Sequence, residues 1–202
     1  MKDWLKTYFP ELSSETIDVL CGLYDVYAEW NNKINVISRK DFSFENFCIR
    51  HVLHSLAVLR FWQFDAGSEV LDVGTGGGFP GVPLAVVLPS LRFTLLDSRN
   101  KKLIVVEDVV KRLGLNNVKV VWDRVEHVTE KYDYITGRAV KDISVFYGWT
   151  KKNLKRNGKI IYWAGGEPDN SFVKGLNRFE SYDIATVLKE PFFETKKIWI
   201  FR

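Results

Sequence analysis

Over the first 60 residues, apolar side chains recur at helical spacing. After Ser13 and Ser14, two residues suited to capping, Ile17, Leu20, Cys21, Tyr24, Tyr27 and Ala28 fall on one face. A second helix is expected after Asp41 and Ser43, with Phe44, Phe47, Cys48, His51, Val52, Ser55, Leu56 and Leu59 along one side. Two one-sided helices need a surface to cover, and the remainder of the chain supplies it. From Glu69 onwards the period changes to short apolar runs separated by helices. Val70–Val73 reads as a strand, followed by a glycine loop and a helix from about Gly81 to Leu88 that Pro89 stops. Phe93–Leu96 is the next strand. A helix carrying Leu103, Val106, Val110 and Leu113, closed by Gly114, leads to a strand at Val118–Trp122.

The alternation continues with a short strand near Tyr132–Ile135, a helix near Ile143–Leu154 and a strand at Lys159–Trp163. Strands that alternate with helices imply a parallel sheet with right-handed crossovers and helices on both faces. The tail differs: Tyr182–Leu188 and Lys196–Phe201 are β-rich, Pro191 lies between them, and no helical period separates them. An antiparallel hairpin at the sheet edge fits that pattern. The expected fold is therefore α/β: a doubly wound, mostly parallel, Rossmann-like sheet of seven strands. Residues 1–65 form a helical extension on a main domain of residues 66–202, and a monomer is expected.

Composition changes this picture little. The 202 residues are 46% hydrophobic and 27% charged, as in a folded globular protein. No run approaches the roughly 20 apolar residues of a membrane span, and the opening residues lack the apolar stretch of a signal peptide, so the cytoplasm is the expected compartment. Cys21 and Cys48, the only cysteines, fall on apolar helix faces and read as buried free thiols rather than a disulfide or zinc pair. The net charge of +4 permits a nucleic-acid partner. Its distribution says more: Lys141, Lys151, Lys152, Lys155, Arg156 and Lys159 face a single acid, Asp142, over the same stretch. Such a run suits RNA phosphates, although a solvated face is the commoner explanation.

The segment Leu71-Asp72-Val73-Gly74-Thr75-Gly76-Gly77-Gly78-Phe79-Pro80-Gly81 stands between the first strand and its helix. Glycines here let the backbone approach a ligand closely. Their spacing is G-x-G-x-G, and Phe79 occupies the place where a dinucleotide fingerprint needs its last glycine. That departure argues against a dehydrogenase and for S-adenosylmethionine, which has an amino-acid tail instead of a pyrophosphate. Asp97 ends the second strand about 20 residues further on, where a carboxylate accepts the ribose hydroxyls. An N-cap for the following helix is the rival reading. Val125 and Glu126, after the third strand, fall where an adenine edge would lie, or form an ordinary turn. Arg138, after the fourth strand, is placed to face a cofactor carboxylate or an RNA phosphate, with a plain surface arginine as the alternative.

Five segments together resemble the bacterial 16S ribosomal RNA guanine-N7 methyltransferases, the family of glucose-inhibited division protein B. They are Trp30–Ser38, Arg50–Leu56, the Asp72–Gly81 loop, Leu95–Ser98 and Arg138-Ala139, and the match covers nearly the whole chain. The resemblance implies a class I methyltransferase sheet and S-adenosylmethionine as cofactor. It implies further that Gly74, Gly76 and Phe79 line the cofactor pocket, Asp97 holds ribose, Val125 and Glu126 frame adenine, and Arg138 lies at the site. His54 stands where the family usually has aspartate, and Gly137 where serine is more usual. His51, on an apolar helix face, is a satisfied core residue or, with Arg138, part of the reacting site. Trp4 and Trp30 suit either base stacking or anchoring of the helices.

The implied substrate is ribosomal RNA or the small ribosomal subunit. Guanine N7 carries a free lone pair, so no catalytic base is needed and positioning dominates. The chain has no Asp/Asn-Pro-Pro-aromatic segment for exocyclic amines and no Pro-Cys nucleophile for pyrimidine carbon 5. A small-molecule or protein methyltransferase, and a non-catalytic RNA-binding assembly factor, remain the alternative classes.

Overall fold

The computed structural model describes residues 1–38, 42–140, 142–176 and 178–202. Asp41, expected to help start the second helix, and Lys141 of the basic run lie outside the described residues. Helices α1 (Lys2–Tyr8) and α2 (Ser14–Lys33) open the chain. The Ser13 side chain accepts the Thr16 amide and caps α2. Ser43 likewise caps α3 (Phe44–Phe47), accepting from Asn46. Helix α3 runs on through a π-helical stretch (Cys48–Leu53) into α4 (His54–Leu56) and a 3-10 turn (Ala57–Arg60). The helix expected here is therefore continuous but underwound in the middle, and such π segments frequently mark functional positions.

The main domain follows as β1 (Glu69–Val73), α5 (Gly81–Val87), β2 (Arg92–Asp97), α6 (Asn100–Arg112), β3 (Val118–Trp122), β4 (Tyr132–Arg138), α7 (Ile143–Thr150), β5 (Leu154–Gly165), α8 (Asn170–Lys174), β6 (Phe179–Asp183) and β7 (Lys196–Phe201). One seven-stranded sheet has the order β3-β2-β1-β4-β5-β7-β6. The first five strands are parallel, and β7 runs antiparallel between β5 and β6. The doubly wound expectation holds, with the direction of winding reversing between β1 and β4. In such sheets the crevice for a ligand opens at the carboxyl ends of these two strands.

Strand periodicity divides the core in two. Val70, Phe93, Leu95, Ile161, Trp163, Ile198 and Ile200 point to the face covered by the N-terminal helices, α5 and α6. Leu71, Val73, Leu96, Ile160, Tyr162, Trp199 and Phe201 point to the other, where Ile143 and Phe146 of α7 pack. Leu5, Leu20, Leu23, Phe47, Val52 and Leu56 are buried in the first layer, so the N-terminal helices share its core. Each such leucine stabilises the fold by roughly 1.5–3 kcal/mol. Cys21 and Cys48 are free thiols, half-buried and buried.

Three expectations need correcting. The tail strand expected at Tyr182–Leu188 is β6 at Phe179–Asp183. Beyond it the chain turns in a 3-10 helix, Ile184–Thr186, because Ile184 and Leu188, four residues apart, both enter the core. Helix α7 ends at Thr150 and gives way to a 3-10 turn at Lys151–Asn153, where the Asn153 amide donates to the Val128 and Glu130 carbonyls. Strand β5 begins five residues earlier than expected, at Leu154. Its polar opening residues hid it, since Lys155 is ion-paired to Glu69 and Asp133 on neighbouring strands.

Candidate cofactor and acceptor site

The loop between β1 and α5 is shaped from below by Asp72. This aspartate is fully buried at the end of β1. One carboxylate oxygen accepts from the Thr136 hydroxyl at 2.8 Å and the other from the Gly81 amide at 3.1 Å. Burial pushes its carboxyl up from the ordinary range, against these hydrogen bonds and the nearby Arg138. The loop is anchored from above by α2, whose buried Tyr27 hydroxyl donates to the Gly77 carbonyl at 2.6 Å. Sequence reasoning placed Tyr27 only on an apolar face; the polar tip of a core tyrosine was the available signal.

Between these anchors the chain passes Gly76 at φ +58°, a left-handed conformation that suits glycine, with no atom closer than 3.7 Å to the space a Cβ would take. Its amide donates to Asp97 Oδ2 at 2.8 Å, while the Arg99 amide donates to Asp97 Oδ1 at 2.8 Å. Asp97 therefore ties the loop to the second strand. An ionised carboxylate offers about four lone-pair sites, so two remain for a ligand. The second of these bonds closes a local turn ahead of α6, whose N-cap is Arg99 and not Asp97 as the capping alternative had it.

A cavity of about 750 Å³ opens at this edge of the sheet. Gly74, Gly76, Phe79, Asp97, Val125, Glu126, Arg138 and His51, all expected at the site, line it. Val36 and Ile37 close one side, and their amides both donate to Asn31 Oδ1 at 3.0 Å, which explains why an asparagine stands within the Trp30–Ser38 segment. Lys102, Trp149, Phe192 and Lys196 also line the cavity, and no sequence pattern had singled them out for it.

Arg138 lies across the cavity floor. Its Nη1 donates to the Arg50 carbonyl at 3.0 Å, Nη2 donates to His51 Nδ1 at 3.3 Å, and the guanidinium sits 5.5 Å from the centre of the Phe79 ring. Burial lowers its pKa to about 10, which leaves it protonated at neutral pH. Burial first, then Arg138 and Arg50, lower His51 to about 3. His51 is thus a neutral imidazole whose Nδ1 accepts from Arg138 and whose proton resides on Nε2. His54 is held well below the usual histidine range by burial first, then by Arg138 and Lys196, with its ring edge-on to Phe192 and Phe193. Gly137, one residue before Arg138, is required by packing: a Cβ there would come within 2.5 Å of the Phe146 ring. A serine at that position would demand a shift of α7.

Among the described residues the basic run is divided between the two edges of the sheet. Lys155 Nζ lies 2.9 Å from Glu69 and 2.8 Å from Asp133 at the amino ends of β1 and β4, the opposite edge of the sheet. Lys152 donates to the Glu126 carbonyl, Lys151 lies over the Tyr147 ring, and Arg156 is exposed at the start of β5. A continuous phosphate-facing patch through Lys155 is therefore not formed. Trp4 and Trp30 pack against the core, and Trp30 Nε1 donates to Asp108 at 2.6 Å, which favours anchoring over base stacking.

The family model for rRNA small subunit methyltransferase G matches residues 17–196. The chain belongs to this family. It is 42% identical over 204 residues to ribosomal RNA small subunit methyltransferase G of Flavobacterium psychrophilum, covering 98% of this chain and 96% of the relative. To the protein of the same name from Cytophaga hutchinsonii it is 41% identical, covering 96% of each chain. Its fold is similar to that of a SAM-dependent methyltransferase from Aquifex aeolicus, with a TM-score of 0.56 at 18% identity over 74% of this chain and 90% of that one. As a member of the methyltransferase G family it is a methyltransferase of the class I fold, and S-adenosylmethionine is its cofactor. The residues fit that group: the volume suits an adenosyl ligand, Asp97 retains free acceptor sites, and Arg138 offers a cation. Among the described residues no cluster of side chains suited to a metal is present, and no helix is long and apolar enough to cross a membrane.

Proposed function

We propose that this protein methylates N7 of a guanosine in 16S ribosomal RNA. The observation that carries the reading is the joining of the glycine loop to Asp97, through Gly76, at the mouth of one cavity that also holds Arg138 and His51. In this reading residues 1–65 are a helical extension that completes the wall of a catalytic domain formed by residues 66–202. Asp97 accepts the ribose hydroxyls, Val125 and Glu126 border the adenine, and Gly74, Gly76 and Phe79 enclose the remainder of the cofactor. When bound, S-adenosylmethionine supplies a methyl group made electrophilic by its positively charged sulfur.

The acceptor needs no deprotonation, because guanine N7 is a bare lone pair at neutral pH. The chemistry of the site agrees. His51 is neutral, its Nδ1 is committed to Arg138, and the Asp72 carboxylate is walled off beneath the loop. What these groups do is orient. His51 and the Arg50 carbonyl fix the Arg138 guanidinium, which stabilises anionic groups entering the cavity, and the buried Phe79 ring beside it excludes water. The names of the relatives supply the ribosomal RNA as substrate, and the unused bases of the site favour N7 over an amine.

Mapping methyl groups on 16S ribosomal RNA from cells lacking this protein tests the reading. Loss of a single 7-methylguanosine, restored by the purified protein with S-adenosylmethionine, is expected; an unchanged methylation map would refute it.

A further inference from the structure

Trp122 is the most exposed of the large hydrophobic residues, at 65% of its full accessibility. A single exposed apolar residue is commonplace, but this one is held in place. It ends β3, the edge strand, directly beside Asp97 in the parallel register, and its indole Nε1 donates to the Ser98 carbonyl at 3.2 Å. The ring therefore has a fixed position at the turn that carries Asp97, with its surface open to solvent. Trp122 does not line the cavity, so the adenosyl ligand does not explain its exposure.

The surroundings are basic. Arg99, just before α6, and Lys101 and Lys102 in its first turn follow Ser98, and none of them has an ion-pair partner among the described residues. Arg99 and Lys102 line the cavity mouth, so the charged surface is continuous with the site. Of the nearby acids, Glu126 is paired with Arg124, while Asp123 is hydrogen-bonded to the His127 ring and Asp97 is held by two backbone amides and faces the cavity. Lys119 is also exposed on β3. An aromatic face fixed among unpaired cations matches the chemistry of single-stranded nucleic acid, where bases stack on rings and cations follow phosphates. A second copy of this chain would bring like charges together, which disfavours self-association through this face.

We propose that Trp122 is the stacking platform for an unpaired base of the substrate RNA flanking the target nucleotide, with Arg99 and Lys102 on the phosphates that lead into the cavity. The inference rests on the reading of ribosomal RNA as substrate and locates where the strand enters. It places the RNA on the β3 and α6 rim, away from Lys155.

Methyl transfer to 16S ribosomal RNA, and to small subunits, from cells lacking this protein would be measured with wild type, Trp122→Ala and Trp122→Phe. Trp122→Ala is expected to raise the KM for RNA roughly tenfold or more, with kcat and the affinity for S-adenosylmethionine unchanged, on the scale of one lost base stack. Trp122→Phe, which keeps a ring but not the indole N–H, is expected to recover most of that loss. An unaltered KM in Trp122→Ala overturns the proposal. So does a Phe variant as impaired as Ala, because the Ser98 tether would then be the whole role, and so does a wild-type dimer that Trp122→Ala dissolves. If wild type transfers no methyl group to either RNA, the function proposed above fails and the stacking role with it.

Discussion

The two edges of the parallel sheet handle charge in opposite ways. At the amino edge Lys155 bridges Glu69 and Asp133, the Glu69 amide donates to Asp133 at 2.9 Å, and Arg92 adds a further pairing to Glu69. Lys155 holds the Glu69 carboxyl below its usual range. Burial opposes the same effect at Asp133, yet the Glu69 amide and Lys155 still lower it. At the carboxyl edge Arg124 and Glu126 pair at the rim, but the charges deeper in the cavity are not matched in this way. Asp97 is held by amides, Asp72 by an amide and a hydroxyl, and Arg138 by a carbonyl and a neutral imidazole. Neutral dipoles position a charge without neutralising it. Charges at the amino edge are consumed within the fold, whereas those at the carboxyl edge retain their field and spare lone pairs for a ligand.

Replacing Asp97 should break this contrast most severely. Asp97→Ala removes the acceptor for the Gly76 amide, the acceptor for the Arg99 amide and the proposed ribose ligand together. Affinity for S-adenosylmethionine is expected to fall on the order of 100-fold, about 2.7 kcal/mol, with a stability loss of only about 1 kcal/mol. Calorimetric titration and thermal melting separate the two effects. A variant that melts earlier but binds the cofactor normally would reduce Asp97 to a structural tie between the loop and the second strand.

A smaller effect concerns the buried histidines beside Arg138. An unfolded histidine takes up a proton below about pH 6.5, whereas folded His51 resists protonation down to about pH 3. Between those values the unfolded state binds more protons, so stability falls as the pH falls. At pH 5 the loss is about 2 kcal/mol for one such histidine. His54 acts in the same sense, while Asp72, raised by burial, acts in the opposite sense at the acid end. Melting curves from pH 7 to 5 should show a steeper decline for wild type than for His51→Gln. Parallel declines would mean that His51 is not kept neutral by its surroundings.

How much of this was legible in sequence depended on whether a role leaves a local pattern. The sheet was readable because Val70, Phe93 and Ile161 recur in runs that strands alone satisfy, and the glycine loop declared itself by spacing. Asp97 could be placed from its strand end. Tyr27 was hidden because its hydroxyl reaches the loop across a tertiary contact, from a helix whose visible pattern is apolar, whereas Asn31 acts locally, on the amides five and six residues further on. Phe192 and Lys196 come from the C-terminal segment, far along the chain from the loop they face, and no local rule connects them. The partners of the basic run were hidden for the converse reason. Proximity in sequence suggested a patch, but consecutive residues entering a strand were drawn to different partners.

Lys155 supplies the mildest test of the comparison and the one most specific to the amino edge. Its side chain is 39% exposed, so its two ion pairs are screened by solvent and together contribute no more than about 1 kcal/mol. Lys155→Ala should lower the melting temperature slightly, and less so at high salt, where the wild-type pairs are already weakened. Because Lys155 lies at the far edge of the sheet from the cavity, cofactor affinity and the KM for RNA should not change. A rise in the KM for RNA, with a salt slope reduced by about one phosphate contact, would place nucleic acid at the amino edge after all. In that case the division of charge between the two edges would describe this fold but not its use.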